Sequence, residues 1–123
     1  EIIQLEDLIR DTDAAYTRAI TAICDRTPRP DALFVPIELA AVFALESLLR
    51  RGLRVPDDVM LATTSDTGRG LHTSPQLTTL EWNYPELGRQ ATTLLLDLID
   101  GGASAPCEIV VPTTLSPRAS TRR

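Results

Sequence analysis

The stretch ALFVPIELAAVFALESLLRRGLRVPDDVMLATTSD, residues 32–66, decides the fold. Its first five residues, 32–36, form a short apolar run of the kind found in buried parallel strands. From Glu38 to Arg51 the apolar residues Leu39, Val42, Phe43, Leu45, Leu48 and Leu49 recur at helical spacing. Gly52 stands where helices end, and Arg50 and Arg51 lie on the negative end of the helix dipole. Residues 55–63 then supply a turn and another strand, with Asp57 and Asp58 fitting a turn better than a pair of catalytic acids. Two strands joined by a helix cannot pair as a hairpin, so this unit predicts parallel strands with a helical crossover.

The pattern continues on both sides. Upstream, EIIQL (1–5) reads as a short strand. Thr12 to Arg26 reads as a helix, with apolar residues at 15/16, 19/20 and 23/24 and Asp11, Thr12 or Asp13 available to cap it. TPRPD then breaks the chain. Downstream, SDTGRGLHTSPQ (65–76) is a polar, glycine-containing loop, and residues 77–83 form a strand. Pro85 opens a helix reaching about Asp100, with Leu87, Ala91, Leu94, Leu95, Leu98 and Ile99 on one stripe. GGASAP is a linker and CEIVVP (107–112) a final strand. Alternation of this kind predicts an α/β fold, a mostly parallel open sheet flanked by helices. The helix over 38–51 is apolar on more than one side. It is either buried deep in its own domain or faces a second partner.

With 123 residues the chain fits one domain that needs no disulfides. The formal net charge is −5, and all 12 basic residues are arginine. An acidic chain is a poor match for phosphate neutralisation, which argues against nucleic-acid binding by this segment. Arg118, Arg122 and Arg123 read as a small solvated tail. No apolar run approaches the roughly 20 residues of a membrane span. The chain opens on Glu1, without Met and without the basic cap and apolar stretch of a signal peptide. Cys24 and Cys107 fit no metal or redox spacing. Cys24 sits on an apolar helix stripe as a buried small hydrophobe, which suits a reduced, intracellular setting.

Open parallel sheets bind ligands beyond the carboxyl ends of their strands. Here those ends are Pro36-Ile37-Glu38, Thr64-Ser65-Asp66 and Trp82-Asn83-Tyr84. Trp82 is the one tryptophan of the chain. Strand alternation places Leu80, Trp82 and Tyr84 on one face, and aromatic platforms there suit flat or sugar-like ligands. Enzyme chemistry has little support. His72, the one histidine, has no obvious Ser or Cys partner. Asp66-Thr67-Gly68 matches the aspartic-protease triplet, but that fold is nearly all β. A phosphorylated receiver domain or a P-loop would need a lysine. No catalytic residue, metal ligand or cofactor site is expected.

Three segments carry a resemblance: residues 30–66 with GLRVPDDV, PQLTTL followed by ELG, and the closing RAST. From about residue 12 onward the chain resembles the carboxyl-terminal part of LacI/GalR-type bacterial transcriptional regulators. That resemblance implies an incomplete, type I periplasmic-binding-protein-like effector domain, in which two subdomains close on a small ligand. It implies that 1–82 belong mainly to the second subdomain, 83–106 carry a helix of the first, and 107–123 cross back. It further implies a cytoplasmic homodimer built through helix 38–51 and loop 66–76, with DNA bound only by an N-terminal helix-turn-helix that this chain lacks. The expected ligand residues are Ile37, Glu38, Ser65, Asp66, Trp82 and Tyr84. Family members usually carry Asn-Asp at 37–38, an Asp at 65, a polar residue at 82 and often Gly at 43. Ile37, Ser65, Trp82 and Phe43 depart from that pattern. The pocket is therefore expected to be less polar than a sugar site, either because the ligand differs or because sensing has been lost. Two other possibilities remain open: a transporter's solute-binding protein, and a dimerisation module with a vestigial pocket.

Overall fold

The computed structural model describes residues 12–65, 67–102 and 107–123. The strand expected at 1–5 and the cap candidate Asp11 lie outside what it describes, as do the side chains of Thr12 and Asp13. Helix α1 (Thr12–Cys24) leads to β1 (Ala32–Val35), α2 (Glu38–Arg50) and β2 (Met60–Ser65). A short 3-10 turn (Arg69–His72) precedes β3 (Thr78–Glu81), α3 (Tyr84–Ile99), β4 (Thr114–Ser116) and a second 3-10 turn (Ala119–Thr121). The sheet order is β1-β2-β3-β4. β1, β2 and β3 are parallel, with Leu33 opposite Leu61 and Thr63 opposite Thr79. β4 runs antiparallel to β3, with Leu115 opposite Leu80.

The core lies between the sheet and α2. Leu48, Leu61, Leu77 and Val59 are fully buried in it, with Ile20 and Cys24 added from α1. Ala40, Ala41 and Ala44 give α2 a small-residue face, which lets helix and neighbours approach closely. The two sides expected of this helix separate: Ala41, Ala44, Leu45 and Leu48 go inward, while Leu39 and Leu49 stay exposed. Phe43 stacks on Tyr16 of α1 with ring centroids 6.0 Å apart. Burial pushes the Cys24 thiol up, opposed by Arg51 and Arg29, which leaves it a packed hydrophobe rather than a ready nucleophile. α2 ends as expected: Gly52 takes φ +75°, and the N–H of Leu53 returns to the carbonyl of Leu48 at 3.1 Å. The Asp57-Asp58 segment is a turn, held by the Arg54–Asp58 ion pair at 2.9 Å.

Two expectations are corrected. Residues 107–112 do not form a strand; the last strand is Thr114–Ser116. Ile109, Val110 and Val111 have strand-forming side chains, but a ladder also needs a neighbouring strand. Instead Ile109 and Val111 face Leu87, Ala91 and Leu94 of α3 across an open groove, and Val110 is exposed. Arg118 is not a solvated tail residue, because only 16% of its side chain is exposed. It donates to the carbonyl of Leu77 at 2.9 Å, to the hydroxyl of Thr79, and to Glu81 at 2.5 Å. Next to it, the buried Ser120 hydroxyl donates to the carbonyl of Leu61 at 2.6 Å and accepts from the N–H of Thr78 at 2.8 Å. The RAST segment therefore clasps β2 to β3.

α3 begins at Tyr84, capped by Asn83, whose side chain accepts from the N–H of Glu86 at 3.2 Å. None of its residues is buried; Leu95, Leu96 and Ile99 face solvent despite the leucine stripe. Hydrogen bonds from Arg89 and then Gln90 hold the Glu86 carboxyl at about 2.

Ser120→Ala should lower unfolding free energy by about 1–3 kcal/mol, because it leaves a buried N–H and a buried carbonyl without their partner; urea denaturation measures this. A carboxyl lowered on folding contributes stability above its ordinary value of 4.5 and loses that contribution as pH falls toward 2. An NMR titration should therefore find the Glu86 midpoint near 2, and Arg89→Ala should move it up toward 4.5.

Candidate functional site

The carboxyl ends of β1 and β2 are laced together first. The Thr63 hydroxyl donates to the carbonyl of Val35 at 2.6 Å, and the Thr64 hydroxyl to that of Pro36 at 2.7 Å. This sets the start of α2 beside Ser65. Glu38, the first residue of α2, is 1% exposed. One carboxylate oxygen accepts from the N–H of Thr67 at 2.9 Å and its hydroxyl at 2.7 Å. The other accepts from the N–H of Gly70 at 2.9 Å and the hydroxyl of Ser65 at 3.4 Å. A buried carboxylate is tolerated when backbone and hydroxyl donors converge on it, and the positive end of a helix adds to this.

Glycine serves this loop at two positions. Gly68 takes φ +72°, a conformation that L side chains rarely adopt. At Gly70 an added Cβ would meet the Leu77 Cβ at 3.0 Å and a Glu38 oxygen at 3.5 Å. The absent side chain lets the Gly70 N–H reach Glu38 while its carbonyl accepts from Leu77 at 2.9 Å. The GRG segment thus uses a backbone donor to bind its own glutamate.

A cleft of about 250 Å³ opens at this end of the sheet. It gathers Glu38, Ser65, Trp82 and Tyr84 of the six expected residues. Trp82 and Tyr84 are 46% and 48% exposed, and neither side chain has a hydrogen-bond partner among the described residues. Ile37 is not among the lining residues; it is 53% exposed and precedes α2 without capping it. Asp66 lies outside the described residues. β3 contributes Thr79 and Glu81 rather than Leu80, because the strand stops at Glu81 and its alternation does not run on to Trp82 and Tyr84. Arg118 also reaches the cleft, paired with Glu81. Hydrogen bonds from Arg118 and then Ser116 hold the Glu81 carboxyl below its ordinary range. The sequence reading missed Glu81, Thr79 and Arg118. The polar residues Thr79 and Glu81 at alternate positions of β3 were the available signal.

The same loop borders a second groove, of about 370 Å³, between α2 and residues 69–74. Leu39, Val42 and Leu49 form its apolar side, and Arg69 and His72 its polar side. Among the described residues no three His, Cys, Asp or Glu side chains gather as metal ligands, and no helix is long and apolar enough to cross a membrane.

The profile of the periplasmic binding protein-like domain matches residues 3–121. This chain belongs to that family, and the relatives it matches are transcriptional regulators, with LacI-type regulators among the solved structures. It is 32% identical over 118 residues to the transcriptional regulator CelR of Thermobifida fusca, covering 94% of this chain and 35% of CelR. A LacI family regulator from Bifidobacterium animalis subsp. lactis superposes with TM-score 0.81 at 29% identity, over 89% of this chain and 40% of that one. A LacI family regulator from an Arthrobacter species, solved in complex with lactose, superposes with TM-score 0.78 at 28% identity, over 89% of this chain and 41% of that one. The chain spans about a third of the length of the curated relatives it matches.

Glu38→Gln keeps the shape but turns an amide N–H₂ toward donors, so stability should fall by about 2 kcal/mol or more. Hydrogen exchange at the Gly70 amide should accelerate in the same variant.

Proposed function

We propose that this chain is the effector-binding and dimerising part of a LacI-type transcriptional regulator. The observation that carries this reading is the cleft beyond the carboxyl ends of β2 and β3, into which the unpartnered rings of Trp82 and Tyr84 project. In this reading Ile37, Glu38, Ser65, Asp66, Trp82 and Tyr84 belong to one wall of the effector site. Glu38 shapes the wall, and Trp82 and Tyr84 touch the ligand.

The distribution of burial supports the division into subdomains that the resemblance implies. Residues 1–82 form mainly the second subdomain, whose core lies between α1, α2 and the sheet. Residues 83–106 belong to the first subdomain, which accounts for a leucine-striped α3 with nothing buried. Residues 107–123 cross back and end in the clasp on β2 and β3. The rest of the first subdomain and a DNA-binding head would come from other parts of the regulator.

The effector is a small molecule, and the protein acts in the cytoplasm by binding rather than catalysis. The lactose complex of the Arthrobacter regulator supports a small metabolite as ligand class. Ligand binding would change the angle between subdomains, and therefore the spacing of the DNA-reading heads. This requires different ligand affinity in the two states. The groove of Leu39, Val42, Leu49, Arg69 and His72 is the homodimer face, covering helix 38–51 and loop 66–76. A dimerisation module with a vestigial pocket is the second reading. It is favoured by Glu38, whose oxygens are occupied by the protein's own loop.

In sedimentation velocity, the full-length protein should run as a dimer, and Leu49→Arg should shift it toward monomer by about tenfold or more in dissociation constant, because a charge is placed in a desolvated contact. An unchanged dimer would move the interface off this face.

A further inference from the structure

Resting on the assignment of the cleft as the effector site, we infer that its wall selects an uncharged ligand with a flat ring and rejects phosphorylated or carboxylated ones. Three charged side chains line the cleft among the described residues, Glu38, Glu81 and Arg118. Each is already engaged by the protein. Glu38 accepts from Ser65, Thr67 and Gly70. Arg118 and Glu81 form a pair at 2.5 Å, and the guanidinium also donates to the carbonyl of Leu77 and the hydroxyl of Thr79. An anionic ligand draws its affinity from charge-assisted donors. Here the one cation lining the cleft among the described residues, Arg118, has its charge already paired by Glu81, and an anionic ligand would meet that carboxylate beside it.

The groups that remain free are of another kind. Trp82 and Tyr84 stand half-exposed with their ring faces available, and Leu71 adds a half-exposed aliphatic surface. The indole N–H and the phenol hydroxyl have no partner among the described residues. This wall therefore offers stacking area, one fixed donor and one hydroxyl. A ring that stacks and presents an acceptor satisfies all of it, as a nucleobase or the aglycone of an aryl glycoside does. A bare polyhydroxylated sugar would bring more donors and acceptors than this wall can answer.

Calorimetric titration of the full-length protein tests this with adenosine, cytidine and 4-nitrophenyl β-glucoside, set against adenosine monophosphate, glucose 6-phosphate and cellobiose. At least one of the first three should bind saturably, and the charged and purely sugar probes should bind about tenfold or more weakly. Trp82→Ala should lower that affinity about tenfold or more and Trp82→Phe should restore most of it, since stacking rather than shape alone carries the contact. Far-UV circular dichroism confirms that both variants fold. If a phosphorylated probe or cellobiose binds more tightly and Trp82→Ala still weakens it, the ligand class is overturned and the site stands. If the binding observed is indifferent to Trp82→Ala, or if no probe of either set binds, the site assignment falls with it.

Discussion

The buried carboxylate of Glu38 is the constraint on which the working end of the molecule depends. Its position follows from the chain: a strand delivers it, a helix starts on it, and the loop after the next strand wraps around it. Donors from Ser65, Thr67 and Gly70 converge there. A carboxylate in that setting fixes its surroundings, because losing any donor leaves charge poorly solvated inside the protein. The loop it holds has two faces. Gly68 and Leu71 line the aromatic cleft, while Arg69 and His72 line the groove along α2. One side chain therefore sets the shape of both surfaces.

The second organising contact comes from the far end of the sequence. Ser120 bridges β2 and β3 through a carbonyl and an N–H, and Arg118 spans from Leu77 to Glu81. Parallel strands cannot be joined by a tight turn. Here the hydroxyls of Thr63 and Thr64 tie the carboxyl ends of β1 and β2, while Ser120 of the returning tail ties the amino ends of β2 and β3. The cleft is accordingly assembled from four separate stretches, around residues 38, 65–71, 79–84 and 118.

How much of this was legible in the sequence depends on what each feature answers to. Element order was legible because burial imposes it: Leu45 and Leu48 turn inward from α2, and Leu33 and Val35 of β1 pack against the same core, although Phe34 between them is exposed. The ends were legible where Gly52 and Pro85 mark them. The final strand was misplaced because Ile109, Val110 and Val111 carry strand propensity, whereas strand formation depends on a neighbour that local sequence does not specify. Arg118 was misjudged for a similar reason. A charge near a chain end looks solvated until the partner, Glu81, is brought beside it by the fold. At the site, the strand ends identified the right region but not the roles. Adjacent residues at the head of α2 diverge, Ile37 outward and Glu38 inward, and only the folded loop shows which of them matters to the wall.

α3 has a consequence for handling the molecule at the bench. A helix with one leucine-rich stripe, a polar opposite side and nothing buried behaves in water as a surfactant does. Mutual repulsion from a formal net charge of −5 is spread over the whole surface, whereas the attraction between such stripes is local and short-ranged. Raising the salt concentration screens the first and leaves the second. The colloidal behaviour of the isolated chain should therefore be governed by α3, with association growing as ionic strength rises.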